Sequence, residues 1–109
     1  MYIPENFREA GLAVLHEFMR AHSFASVVTT HNGKPFASHL PLSVHSGVGA
    51  QGILTGHMAR ANPQWQDLQA GAEVLVMFHG EHAYVSPAWY AAKSMAVPTW
   101  NYMAVHAYG

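Results

Sequence analysis

Residues 24–44 read FASVVTTHNGKPFASHLPLSV, and this stretch decides the fold. Its first part, Phe24 to Thr30, is rich in β-branched residues, whose stiff side chains suit a pleated surface. Asn32-Gly33 then forms the strongest short hairpin signal in the chain. A type I′ turn needs positive φ at both central positions, which asparagine and glycine tolerate. Pro35 to Val44 returns as the second strand. Pro41 within it predicts an edge position or a bulge, since proline has no N–H to give the ladder.

Downstream, Ser46 to Gly52 reads as a glycine-rich loop, and Ile53 to Gly56 begins a third strand. His57 to Leu68 (HMARANPQWQDL) carries a short helix, started or interrupted around Pro63, a residue suited to a first helical turn. Glu73 to His79 (EVLVMFH) is nearly all apolar and reads as a buried strand. Glu81 to Ser86 extends it or pairs with it after a turn at Gly80. Trp89 to Lys93 reads as a short helical turn. Val97 to Tyr108 forms a last strand, with Trp100, Tyr102 and Tyr108 at alternating positions. Upstream, residues 5–22 predict an amphipathic helix, with Phe7, Leu12, Leu15, Phe18 and Met19 at helical spacing. Asn6 is placed to cap it and Glu9 to complete a capping box.

Hairpin-linked strands with helices packed on them predict a mainly β fold with flanking helices, a small antiparallel barrel. No repeat, low-complexity tract or linker divides residues 1–109, so a single domain is expected. The last strand runs to Gly109 with nothing after it to close the structure, so the barrel is expected to be incomplete at its C-terminal end.

The 109 residues are half apolar and 12% aromatic, but only 10% are charged, against about 25% in an average soluble domain. So uncharged a chain hides surface in a pocket or between subunits, and an oligomer is expected. Net charge is −1, and the five Lys and Arg residues scatter over positions 8, 20, 34, 60 and 93. That leaves no basic stripe for DNA phosphates, so direct DNA contact is not expected. With no cysteine, disulfides and thiolate metal sites are excluded. The N-terminus, MYIPENFREAG, lacks the basic start and apolar run of a signal peptide. No run of about 18 apolar residues is present to span a membrane. A soluble, cytoplasmic protein is expected.

Nine histidines raise the question of a metal. Only His79 and His82 are close in sequence, with Gly80 between them, and no helical H-x-x-x-H pattern occurs. Hydrogen-bonded core and interface histidines are the favoured reading. No G-x-S-x-G motif, P-loop or dinucleotide fingerprint is present, and Glu73 and Glu81 are too isolated to work as an acid–base pair.

Two dense segments remain. In LTGHMARANPQW (54–65), Gly56 permits a tight exit from a strand, and His57 and Arg60 lie three apart. Arg60 near a helix start can take a phosphate in bidentate fashion beside free backbone N–H groups. It can equally pair with Asp67 or Glu73 on the surface, and the residues alone leave both readings open. In AYVSPAW (83–89) and VPTWNY (97–102), aromatic rings can stack on a planar heterocycle. They also suit a dimer interface, the reading favoured for most of them. The two coexist if a ligand lies between subunits.

Taken in order, MYIPENF, FASVVTTHNGKPFASHLPL, GILTGHMARANPQW, HAYVSPAWY and VPTWNYMAVHAYG resemble the PaiB family, described as FMN-binding negative transcriptional regulators. The resemblance covers essentially the whole chain, and HLPL, GHMARANPQW and VPTWNY are its most specific parts. It implies a split β-barrel like that of the pyridoxamine-phosphate oxidase and flavin-reductase groups, usually a homodimer with FMN in clefts between subunits. It places the FMN phosphate at Arg60, with Thr29 and Thr30 as helpers. It puts His39, Leu40 and Leu42 where the backbone approaches the isoalloxazine ring, and adds His57 to the site. Trp100 and Asn101 are expected to complete the site from the partner. PaiB-like proteins continue past the VHAYG segment, so this chain corresponds to the N-terminal part of a longer pattern. Weak flavin-dependent redox activity or an indirect effect on transcription follows from the resemblance. The rival readings are a non-enzymatic regulator that binds a small molecule or protein in the same cleft, and a haem or metal binder using the histidines.

Overall fold

In a computed structural model, which describes residues 1–91 and 96–109, the Asn32-Gly33 turn sets the first hairpin. Asn32 has φ 50° and Gly33 φ 76°, the left-handed pair that a type I′ turn demands. Strands β1 (Phe24–His31) and β2 (Lys34–Pro41) therefore pair antiparallel from His31↔Lys34 out to Phe24↔Pro41. The chain breaks at Leu42 and continues as β3 (Ser43–His45), which pairs with β4 (Ile53–Thr55) in a separate two-stranded sheet. Two long strands, β5 (Leu75–Val85) and β6 (Thr99–Tyr108), complete the main sheet in the order β2-β1-β5-β6. The expected Glu81–Ser86 strand is a continuation of β5, reached through an irregularity between His79 and His82. Of the edge position or bulge that Pro41 predicted, the edge is found, because β2 pairs with β1 alone. The fold is mainly β with flanking helices, and the sheet does not close.

Both helices are shorter than the sequence pattern suggested. α1 spans Leu12–Ala21, preceded by a separate 3-10 turn at Glu5–Phe7. The Asn6 cap and its capping box do not form: Gly11 occupies the cap position, and the Glu9 carboxylate accepts the Gly11 N–H at 2.6 Å. Phe7, counted on the apolar face, is exposed, because the chain ahead of Gly11 leaves the helix axis. α2 is confined to Gln64–Gln69, with Pro63 just ahead of it. Residues 57–63 form an irregular loop instead of the first turns of that helix. The expected turn over 89–93 lies slightly earlier, as a 3-10 turn at Pro87–Trp89, and residues 92–93 fall outside the described ones.

Successive strand residues face opposite sides of a sheet, and one side here is covered. Met19, Ala25, Val27, Leu42, Val76 and Phe78 form the core on that side, flanked by Phe18, Leu40, Val105 and Ala107. His16, buried in α1, meets the Gln51 carbonyl at 2.8 Å, and Arg20 donates to Ser46 Oγ at 2.9 Å, so α1 clasps the β3–β4 hairpin. Phe18 lies over Gly80, where any Cβ would come within 2.9 Å of the ring.

The other side of the sheet is open. Phe24, Ser26 and Val28 of β1 align there with Met77 and Leu75 of β5 and with His106 and Tyr108 of β6. Past the irregularity, β5 and β6 run on beyond β1 as a two-stranded arm, pairing His82↔Tyr102 and Tyr84↔Trp100. Its rings stack on one another, His82 against Trp100 at 5.5 Å, and Trp100 and Tyr102 remain 58% and 62% exposed. The result is an elongated body of 54 × 33 × 21 Å with a radius of gyration of 17.3 Å, against about 13 Å for a compact chain of this length. Among the described residues no helix is long and apolar enough to cross a membrane.

Candidate functional site

The loop carrying His57 and Arg60 is fixed from beneath by a buried amide. Gln64, the first residue of α2, is fully buried, and its Nε2 donates to the Val27 carbonyl at 2.9 Å, to Thr29 Oγ1 at 3.2 Å and to the Phe36 carbonyl at 3.2 Å. Two backbone carbonyls around one nitrogen settle the amide's orientation, because the flipped form would point oxygen at oxygen. Asn62 prepares this seat. Its Oδ1 accepts the Gln64 N–H at 3.0 Å and its Nδ2 donates to Ser38 Oγ at 2.8 Å, tying the loop to β2. Trp65 reaches back, its indole N–H donating to the Arg60 carbonyl at 3.0 Å. At the other end of the loop, Gly56 packs against Leu42: a Cβ there would lie 2.4 Å from Leu42 Cδ2 and 3.2 Å from the Pro41 carbonyl. Two of the three most specific motifs, HLPL and GHMARANPQW, are thus brought into contact by a glycine and a buried leucine.

What this loop presents is suited to an anion. Asp67, one of the two surface partners considered for Arg60, is engaged elsewhere: Thr29 Oγ1 donates to its Oδ2 at 2.8 Å, and His31 Nδ1 meets its Oδ1 at 2.8 Å. That hydrogen bond from His31, with help from Thr29 and from the histidine's charge, holds the Asp67 carboxyl below its ordinary range against the opposing effect of burial. His31–Asp67 is the one ion pair among the described residues, so Arg60 pairs with neither Asp67 nor Glu73. Nor, among the described residues, do the backbone N–H groups of 57–61 reach a backbone acceptor.

The edge of β2 runs beside this loop. Leu42 N–H donates to the Ser23 carbonyl at 2.9 Å, which sets the alternation of hydrogen-bonded pairs along the β1–β2 ladder. Residues 36, 38 and 40 thereby turn their backbone groups toward β1, and residues 35, 37, 39 and 41 turn theirs to the open edge. Because positions 35 and 41 are prolines, the edge offers the N–H groups of Ala37 and His39. The His39 ring lies on the open sheet face, its Nδ1 2.9 Å from Ser26 Oγ, whereas Leu40 packs against the core on the covered face.

The expected site residues therefore divide. His57 and Arg60 are exposed on the loop, Leu42 anchors that loop, and His39 and Leu40 lie on the strand beside it. Thr29 is buried and its hydroxyl proton is committed to Asp67, while Thr30 is exposed on the opposite face. Trp100 and Asn101 sit on the arm, in the edge strand opposite β2, and face opposite sides of it. Gln64, Asn62 and His31 escaped the sequence reading, and Asp67 entered it only as a surface partner for Arg60. The Asn-Pro pair before α2 was the available signal for Asn62, whereas nothing local marks a glutamine that will be buried. An open depression at the β5 irregularity is lined by His22, His79, Gly80, Glu81 and His82. Among the described residues no three histidine or carboxylate side chains converge to hold a metal.

Comparison with known proteins gives a consistent result. Residues 1–109 match the family described as "Putative FMN-binding domain". The chain is 48% identical over its full length to the Bacillus subtilis protein named protease synthase and sporulation protein PAI 2, of which it covers 51%. It is 32% identical over its full length to an uncharacterized protein of Emericella nidulans, covering 55% of that protein. An uncharacterized protein of Saccharomyces cerevisiae is 37% identical over 67% of the chain and 45% of its own length. The chain spans about half the length of the relatives it matches.

Proposed function

The chain belongs to this FMN-binding domain family, and on that premise we propose that it holds FMN in a cleft completed by a second copy. The observation that carries the reading is Arg60: a guanidinium without a carboxylate partner among the described residues, on a loop whose own N–H groups are unspent. A phosphate needs that combination of a forked cation and free amides. Arg60 takes the phosphate, with His57 on the same loop. Thr29 serves from below, seating Asp67 and Gln64. The flavin ring lies along the β2 edge, where the His39 amide is free to donate to a ring carbonyl or nitrogen, and Leu40 and Leu42 hold that edge in place. When bound, the isoalloxazine supplies the capacity to take up and release electrons, and the protein supplies its position and surroundings.

The second copy enters because Trp100 and Asn101 sit on β6, at the other side of the sheet from β2 and the loop beside it. The arm that carries them, and the open sheet face, expose Phe24, Tyr84, Trp100, Tyr102 and Tyr108 together. A two-stranded ribbon of this kind is marginal alone in water, and aromatic residues are enriched at subunit contacts. Any influence on transcription follows from flavin binding, since a net charge of −1 with scattered basic residues gives DNA phosphates little to hold.

The test is titration of the purified protein with FMN and with riboflavin, which lacks the phosphate, followed by absorbance and by size. We expect FMN to be retained by a dimer. Arg60→Ala should weaken FMN by about 10- to 100-fold, the worth of a charge-assisted hydrogen bond, and leave riboflavin unchanged. Equal FMN affinity in the variant would remove Arg60 from the phosphate. A protein that retains neither flavin would remove the flavin reading.

A further inference from the structure

We infer that Trp65 is the positioning residue for Arg60, and through it the residue that makes the loop select the phosphorylated flavin. This rests on the flavin reading above and adds the part that sets the phosphate anchor's geometry. The loop between Gly56 and Asn62 is pinned at its two ends, by the Gly56–Leu42 contact and by the two hydrogen bonds of the Asn62 side chain. Between those ends one side chain among the described residues bonds to Arg60 itself: the Trp65 indole, whose Nε1–H donates to the Arg60 carbonyl at 3.0 Å. Holding that carbonyl fixes the peptide plane after Arg60 and so the direction in which its side chain leaves the loop. Trp65 is 38% exposed and belongs to no core cluster, so its ring is not there chiefly to fill space. The part phenylalanine cannot supply is the N–H.

The cost of an arginine–phosphate contact lies largely in ordering a long side chain, and a held backbone removes part of it beforehand. Losing one neutral hydrogen bond is worth about a 2- to 10-fold change in equilibrium. Trp65→Phe should therefore raise the FMN dissociation constant by several-fold and leave that of riboflavin unchanged. In an Arg60→Ala background the same substitution should have no further effect, because the two residues act as one unit.

A second measurement needs no flavin. Trypsin cuts after arginine, and the carbonyl of the Arg60–Ala61 bond is the one Trp65 holds. Cleavage there should be several-fold faster in full-length Trp65→Phe than in the unaltered chain, with cleavage after Arg8 and Arg20 unchanged. Equal loss of both flavins, additive effects with Arg60→Ala, or an unchanged rate at Arg60–Ala61 would each overturn the inference. If the unaltered protein binds neither flavin, the flavin reading fails by that result, and the tryptic rates still decide whether Trp65 holds the loop.

Discussion

Replacing Gln64 tests whether the loop is held by the hydrogen bonds of one buried amide. Its Nε2 lies within 3.2 Å of three acceptors, but an NH₂ group has two protons, so two full bonds are the most it makes at once. At about 0.5–1.5 kcal/mol net per bond, the amide contributes about 1–3 kcal/mol. In Gln64→Leu the Val27 and Phe36 carbonyls keep their ladder positions opposite Ser38 and Thr29, so they are not wholly orphaned. The substitution also removes Gln64 Oε1, which is buried without a partner. The net loss should fall near the lower part of the range, about 1–2 kcal/mol, or about 5–15 °C in Tm for a domain of this size.

Gln64→Glu sharpens the test because it keeps the shape and changes the chemistry. A carboxylate would aim oxygen at two carbonyl oxygens, so the fold accepts the new side chain only when it is protonated. Keeping a glutamic acid neutral at pH 7, against an ordinary value of about 4.3, costs about 3.7 kcal/mol. Its pKa is thus raised in the folded state: stability is present below the ordinary value and is lost as pH rises through the folded one. Thermal unfolding followed by circular dichroism from pH 4.5 to 7.5 reads this directly. The glutamate variant should approach the leucine variant at the acid end and fall well below it at pH 7. Parallel curves for the two variants, or a leucine variant as stable as the unaltered chain, would refute the account of the buried amide.

Two further outcomes follow from packing and charge. Gly56→Ala drives a methyl into Leu42 Cδ2 and the Pro41 carbonyl; urea unfolding should show a loss of about 1–3 kcal/mol, smaller than additive when Leu42→Ala is also present. His106 is held below the ordinary histidine value by burial first, then by the charge of the chain's amino terminus and by His79. Its Nδ1 is buried with no partner. Its neutral form is thus the one the fold accepts, and stability should decline as pH falls below about 6.5. Comparing Tm at pH 7.5 and 5.5, that decline should be smaller in His106→Gln.

What was legible in the sequence was what neighbouring residues decide among themselves. Asn32-Gly33 placed the hairpin turn and Pro41 placed the sheet edge, because backbone sterics act whatever the tertiary surroundings. The N-terminal helix was overread because Phe7 and Leu12 fit the apolar period while facing solvent; periodicity records apolar residues, not the surface they will meet. The site was legible in its motifs and illegible in its wiring. Gln64 meets Val27 across 37 positions, and Asp67 meets Thr29 and His31 across 38 and 36, spacings that no local pattern contains. Glutamine in a polar run reads as surface, and it becomes structural here because two strand carbonyls lie where its amide lands.

The charge deficit and the shape of the molecule are one fact seen twice. A compact protein of 11.9 kDa should expose about 6,000 Å², and this chain exposes 8060 Å². The excess of about 2,000 Å² per chain lies within what a permanent subunit interface buries on each side. With 10% charged residues the sequence cannot clothe such an area in ions. The exposed rings carried by the main sheet are grouped, where incidental surface apolars would be scattered. Phe24 and Tyr108 share the open sheet face, and Tyr84, Trp100 and Tyr102 share one side of the arm. Lys and Arg are absent from those strand positions, and histidines stand in their place: His39, His79 and His106 on the face, His82 on the arm. Near neutral pH an unprotonated histidine offers hydrogen bonds without a charge to desolvate. A surface meant to be covered by a second copy would carry polar groups of that kind.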